Sequence, residues 1–173
     1  MDLIEKLNTG NRQYLLTSEK TLMEYTAKNG QHPYAIVICC SDSRVIPEQI
    51  FSASIGDLFV IRVAGNVLDN HQMGSIEYAA AHLGCKLIVM LGHTHCGAVD
   101  AALSGHTDGY ISYIADDIQE AVGNERDPLK AVQLNVMHGV KRIRDEFAEH
   151  PEIEGVEVMG AVYDIEDGTV EWL

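Results

Sequence analysis

Two apolar runs that each break off into a cluster of metal-ligating side chains constrain this chain more than any other feature. The first, Tyr34-Ala35-Ile36-Val37-Ile38-Cys39, follows Pro33, is rich in β-branched residues and reads as a buried strand. It runs straight into Cys40-Ser41-Asp42-Ser43-Arg44. The second, Leu87-Ile88-Val89-Met90-Leu91, runs into Gly92-His93-Thr94-His95-Cys96-Gly97. Open α/β sheets place their ligands in this way, outside the carboxyl ends of strands. Cys40, His93 and Cys96 together offer three soft or borderline ligands that suit zinc. Three protein ligands leave one tetrahedral position open, which distinguishes a catalytic zinc from a structural one.

Around these runs strands alternate with helices. Leu3, Leu7, Tyr14, Leu15 and Leu16 recur at roughly helical spacing with a break at Gly10, and Thr21 to Lys28 forms a second helical segment ending near Asn29-Gly30. This arm, residues 1–30, has no strand of its own and must pack on the core or on another subunit. Pro47 allows a short helical turn through Phe51, and Leu58 to Val63 is a second strand that Gly65-Asn66 ends. Met73 to Leu83 is Ala-rich and helical, closed by Gly84. Further helices are expected over Gly97 to Leu103, Tyr110 to Val122 and Pro128 to about Glu149, the last stopped by Pro151. Val156 to Tyr163 is the fourth strand, and Thr169 to Trp172 an edge strand. The alternation predicts an α/β fold: a mostly parallel central β-sheet flanked by helices and covered on both faces, with an N-terminal helical arm, as one domain over 1–173. If strands one and three are neighbours, the three ligands line one crevice.

Composition excludes several classes. Twelve basic residues against 26 acidic ones give a formal charge of −14, with no basic cluster, so neither nucleic acid nor an anionic membrane is an expected partner. No apolar run reaches membrane-spanning length, and Met1 to Lys6 lacks a signal peptide's long apolar segment, so a cytoplasmic location is expected. In a reducing compartment Cys39, Cys40, Cys85 and Cys96 read as metal ligands or core rather than disulfides.

A single cysteine at a strand end is ordinarily core, and a single loop histidine ordinarily solvated. The combination carries the metal reading, with His93 and Cys96 three apart and both clusters ending apolar strands. Strand alternation sends Cys39 and Cys40 to opposite sides, so Cys39 is expected in the core, as is Cys85. His95 reads as a solvent-facing loop histidine. Asp42 can accept a hydrogen bond from a metal-bound water and orient it, and Arg44 can hold Asp42 ionised through a bidentate pair. An ordinary loop salt bridge has the same geometry.

These residues also carry a family resemblance. The chain resembles the β-class carbonic anhydrases in Cys40-Ser41-Asp42-Ser43-Arg44-Val45 and in Gly92-His93-Thr94-His95-Cys96-Gly97-Ala98-Val99. It does so too in Gly30-Gln31-His32-Pro33, in Gly56 to Asn66, in Gly74-Ser75-Ile76-Glu77-Tyr78 and in Gly160-Ala161-Val162-Tyr163-Asp164. The resemblance implies one Zn2+ per chain on Cys40, His93 and Cys96, with Asp42 and Arg44 as the activating pair and Asp42 on the metal only in a closed form. It implies Gln31, Phe59, Ala64, Tyr78 and Gly97 around the substrate, in a pocket at a dimer interface where the glutamine and aromatics come from the neighbouring subunit. The implied activity is reversible hydration of CO2 to bicarbonate and a proton through a zinc-bound hydroxide, in a homodimer that can assemble into a tetramer. Members with an allosteric bicarbonate site carry a tryptophan three residues before the first cysteine ligand; Val37 stands there, and Arg62 alone also fits a structural role. Two rival readings use the same residues: a COS or CS2 hydrolase on this fold, and a non-catalytic zinc or redox-sensing module built on Cys39 and Cys40.

Overall fold

The computed structural model describes residues 2–105, 107–150 and 153–173, in two compact units, Met1–Gln31 and His32–Leu173. The first unit holds two helices, α1 (Leu3–Thr17) and α2 (Lys20–Asn29), neither with a buried residue. α1 passes through Gly10, where the sequence reading places a break. Glycine in a helix interior costs only about 1 kcal/mol against alanine, and Arg12 spans the position by donating to Glu5 Oε1 at 2.6 Å and Thr9 Oγ1 at 2.9 Å. Gly30, at φ 81°, ends α2 with its N–H on the Thr26 carbonyl.

The second unit is built on a five-stranded sheet of order β2-β1-β3-β4-β5: β1 (Ala35–Cys39), β2 (Leu58–Arg62), β3 (Leu87–His93), β4 (Glu157–Tyr163) and β5 (Val170–Trp172). The first four are parallel and β5 is an antiparallel edge. Every residue of β1 is buried, as expected for a continuous apolar run at the centre of a parallel sheet. The chain leaves β1 to one side to form β2 and then crosses to the other to form β3, so the strand order reverses between β1 and β3. That is the point at which such sheets bind ligands.

Between the strands lie α3 (Pro47–Ile50), α4 (Asn70–Glu77), α5 (Gly97–Ser104), α6 (Ile111–Val122) and α7 (Pro128–Phe147). α4 begins three residues before Met73 because Asp69 and Gln72 form a capping box: the Asp69 carboxylate accepts from the His71 N–H, and Gln72 Oε1 accepts from the Asp69 N–H. It continues as a π-helical turn over Tyr78–His82, which an Ala-rich pattern does not distinguish from an α-helix. The expected stop at Pro151 lies outside the described residues.

The sheet's two faces are covered unequally. Ile36, Ile38, Ile88 and Met90 pack under side chains of α4 to α7, including Ile76, Val99, Ile118 and Val136. On the other face Val37, Cys39, Val89 and Leu91 meet Val45, Ile50, Phe51 and Ile165. Both faces are covered, as the sequence reading expects, but the connection from β1 to β2 carries only the four-residue α3, so within this unit strand-end loops do most of the covering of the second face. No described helix is long and apolar enough to cross a membrane.

α7 lies close against β3 and β4 because small residues face it. A Cβ added at Gly92 would stand 2.6 Å from Val136 Cγ2 and 3.0 Å from Val132 Cγ1, and one at Gly160 would stand 2.9 Å from Val136 Cγ1. Gly92→Ala should therefore destabilise the protein by about 1–3 kcal/mol through overpacking, read as a lower midpoint in urea at an unchanged slope.

Candidate metal centre

The register of β1 against β3 builds the centre. Cys39 pairs with Leu91; β1 ends there while β3 runs two residues further to His93. Cys40 follows β1 directly, His93 is the last residue of β3, and Cys96 is the N-cap of α5. Three chain segments thus deliver one ligand atom each, and all three atoms lie within 4.8 Å of one another. The side chains are sealed from solvent: Cys40 is 5%, His93 0% and Cys96 2% exposed.

The donor set fits a divalent metal of zinc's character. His93 Nδ1 lies 2.8 Å from the carbonyl of Thr94, an acceptor only, so Nδ1 carries the proton and Nε2 presents a lone pair. Nε2 is buried without a hydrogen-bond partner, and burying such an atom is costly unless something binds it. The two thiols face each other within 4.8 Å. The Cys96 S–H beside it pushes the Cys40 thiol well down, helped by backbone N–H groups of Gly65 at 3.3 Å and Asp42 at 3.4 Å. The same pairing, with burial, pushes Cys96 far up. A cation coordinated by both sulfurs would take the place of the Cys96 proton.

Asp42 and Arg44 lie beside this cluster. Arg44 Nε donates to Asp42 Oδ1 at 3.0 Å and Nη2 to Oδ2 at 2.7 Å, while the Arg44 backbone N–H adds a bond to Oδ1 at 2.9 Å. These bonds hold the Asp42 carboxyl well below the usual carboxylate range. Here Asp42 occupies the arginine-paired posture. Arg44 Nη2 also reaches the His95 carbonyl at 3.3 Å.

Other residues singled out in the sequence fall around the centre or away from it. Cys39 lies in the apolar cluster on the opposite face of the sheet, where burial pushes its thiol up to about 12; a thiol so protonated is a poor nucleophile. Cys85 is buried and donates to the Pro33 carbonyl. His95, in the left-handed region at φ 55°, turns its ring outward, with Nε2 3.0 Å from Glu166 Oε1. Phe59 and Tyr78 face each other at 6.2 Å, and Tyr78 also packs on His82. Ala64 opens the turn that carries Gly65, and Gly97 is the first residue of α5. Gln31, exposed, belongs to the first unit.

Two features escaped the sequence reading. Gly65 appears there only as a strand terminator, yet its N–H contacts Cys40 Sγ. Its φ of 68° and the 2.8 Å that would separate an added Cβ from Ile118 Cδ1 both demand glycine. Thr94 Oγ1 accepts the Ile165 N–H at 3.1 Å, so the turn after β4 braces the loop between His93 and Cys96. Neither could be found from spacing, because the partners lie 25 and 71 residues apart.

Cys40→Ser should strip zinc from the purified protein, whereas Cys39→Ser, altering the opposite face, should leave the metal content near that of the wild type. Elemental analysis of both variants checks this.

Comparison with known proteins places this arrangement in a family. Residues 35–170 match the family described as carbonic anhydrase. The chain is 41% identical over 134 residues to carbonic anhydrase 2 of Mycobacterium tuberculosis; the match covers 76% of this chain and 61% of that relative, so it spans less than two thirds of the relative's length. It is 31% identical over 191 residues to a carbonic anhydrase of Synechocystis, covering 97% of this chain and 69% of that protein. Among solved structures, a β-carbonic anhydrase of Aspergillus fumigatus superposes with TM-score 0.83 at 28% identity, covering 99% of this chain and 91% of that one. One of two tetrameric β-carbonic anhydrases from Sordaria macrospora gives TM-score 0.72 at 31% identity, covering 95% and 97%. With the ligand cluster at the reversal point of a parallel sheet and the match running from β1 into β5, the chain belongs to the β-carbonic anhydrase family.

Proposed function

We propose that this chain is a zinc-dependent carbonic anhydrase that interconverts CO2 and bicarbonate, with one zinc held by Cys40, His93 and Cys96. The observation that carries the reading is the buried cluster of two sulfurs and an unpartnered imidazole nitrogen, beside a carboxylate fixed by an arginine. A zinc ion there would supply Lewis acidity, making a water nucleophilic near neutral pH.

Asp42 does the orienting. A carboxylate has about four lone-pair sites. Arg44 fills two on Oδ1 and one on Oδ2, which leaves an Oδ2 site to accept a hydrogen bond from the reacting water. Since Arg44 keeps Asp42 ionised, that acceptor is present throughout the neutral range. Two thiolates already neutralise a dication's charge, so orientation by Asp42 counts for more here than beside three histidines. Phe59, Ala64 and Tyr78 would give CO2 an apolar surface, with Gly97 backbone beside the metal ligands and Gln31 bonding the substrate's oxygen.

The active unit in this reading is a homodimer, able to pair into a tetramer, with Gln31, Phe59 and Tyr78 reaching a neighbour's centre. Support comes from the first unit, which exposes Leu3, Ile4, Leu7 and Leu16 at 66–81% of their surface, and from the tetrameric Sordaria relative. The elevated, buried Cys39 thiol disfavours the redox-module alternative.

Stopped-flow CO2 hydration should be abolished by a chelator and restored by zinc; faster release of hydrogen sulfide from COS than CO2 turnover would overturn the substrate assignment. Asp42→Asn and Arg44→Ala should each lower kcat on the order of 10²-fold with zinc retained. Sedimentation at assay concentration should show a dimer or tetramer, and a fully active monomer would refute the shared site.

A further inference from the structure

Arg62 plays no part in the chemistry above, yet two donors of its guanidinium reach the centre's backbone. It is the last residue of β2, paired in register with Cys39, so it stands alongside the end of β1. Its Nε donates to the Cys40 carbonyl at 3.1 Å and its Nη2 to the Asp42 carbonyl at 2.6 Å. We propose that Arg62 is a positioning residue for the reaction: by gripping these two carbonyls, it sets where the Asp42 carboxylate stands relative to Cys40 and the other ligands. The proposal rests on the reading of the site as a CO2-hydrating centre.

The hydrogen bonds of the loop separate into two kinds. Those within it are Asp42 N–H to Cys40 Sγ, Val45 N–H to the Asp42 carbonyl, and the backbone and guanidinium bonds of Arg44 to the Asp42 carboxylate. They define the turn's own shape but do not fix its height above the sheet. The tethers from elsewhere are the Gly65 N–H on Cys40 Sγ, the Arg44 guanidinium on the His95 carbonyl at 3.3 Å, and Arg62. Gly65 holds a thiol, and the Arg44 tether leaves from an exposed side chain. Arg62 is the tether that grips Asp42's own backbone, and its 2.6 Å bond is the shortest of the set.

The two arginines divide the work. Arg44 takes the carboxylate oxygens and Arg62 takes the carbonyl of the same residue, so Arg62 does not compete for the lone pair left on Oδ2. A planar fork with fixed donor spacing can bridge carbonyls two residues apart. Lysine, with one flexible point charge, can hold either carbonyl but not both at that spacing.

The test compares the wild type with Arg62→Ala and Arg62→Lys, alone and combined with Asp42→Asn. Arg62→Ala should keep its zinc and its KM while kcat falls about 10²-fold, the scale on which a 1 Å misplacement acts; Arg62→Lys should fall between. In the Asp42→Asn background Arg62→Ala should cost much less, since residues that act through one another are non-additive. Equal cost in both backgrounds would overturn the proposal. Amide hydrogen exchange on the metal-free proteins gives a reading without activity: Arg62→Ala should speed exchange at Val45 by about tenfold or more, while Ile36 and Ile38 in β1 stay protected. Unchanged protection at Val45 would overturn the proposal. If Arg62→Ala fails to protect β1, Arg62→Lys carries the same comparison. A wild type that does not hydrate CO2 would sink the functional reading but leave the exchange result to decide whether Arg62 places Asp42.

Discussion

Parallel pairing of β1 with β3 is the contact on which the rest of the structure depends. It joins strands separated in sequence by β2 and α4, and it does so in a register that leaves β3 two residues longer than β1 at the carboxyl end. That overhang brings His93 level with the turn after Cys39, so an imidazole and a thiol from different strands meet. α5 then starts at once, with Cys96 as its N-cap. A slip of one residue in this pairing would turn Cys40 or His93 to the opposite face.

The same geometry explains why a buried, polar cluster survives in an apolar interior. Burying an imidazole lone pair and a thiolate has a cost that only partners offset. Some partners are built in: the Thr94 carbonyl on Nδ1, and the Gly65 and Asp42 N–H groups on Cys40 Sγ. In the proposed function a cation supplies the balance. Just outside, Asp42 and its arginines form a charged shell whose bonds to the loop backbone stiffen it. The fold thus places desolvated ligands on the sheet and ionised groups at its rim, and the reaction proposed here needs both.

The two units differ in kind. The second has a core formed by the sheet and the helices packed on it. The first is a pair of helices whose apolar side chains remain exposed, including Leu3, Leu7 and Leu16. Contiguous exposed apolar surface marks an interaction site, and Leu3, Ile4 and Leu7 share one end of α1, which is why the proposed assembly gives this unit a role beyond its own chain.

The local features of this protein could be read from its sequence. Strand extents, the stop at Gly30 and the opposite facing of Cys39 and Cys40 follow from backbone geometry, since side-chain direction alternates along a strand whatever surrounds it. The position of candidate ligands at strand ends could be read for the same reason. What only the tertiary structure decided depends on neighbours distant in sequence. Gly10 stays helical because Arg12 bridges it to Glu5; the sheet's second face is left to loops because α3 is one turn long. The sequence reading gave Arg62 no more than a structural role and did not use Gly65 or Thr94 at the site, because their partners lie 20 to 71 residues away. Periodicity records which way a side chain points, whereas register and packing determine what it meets. The centre is made of such meetings.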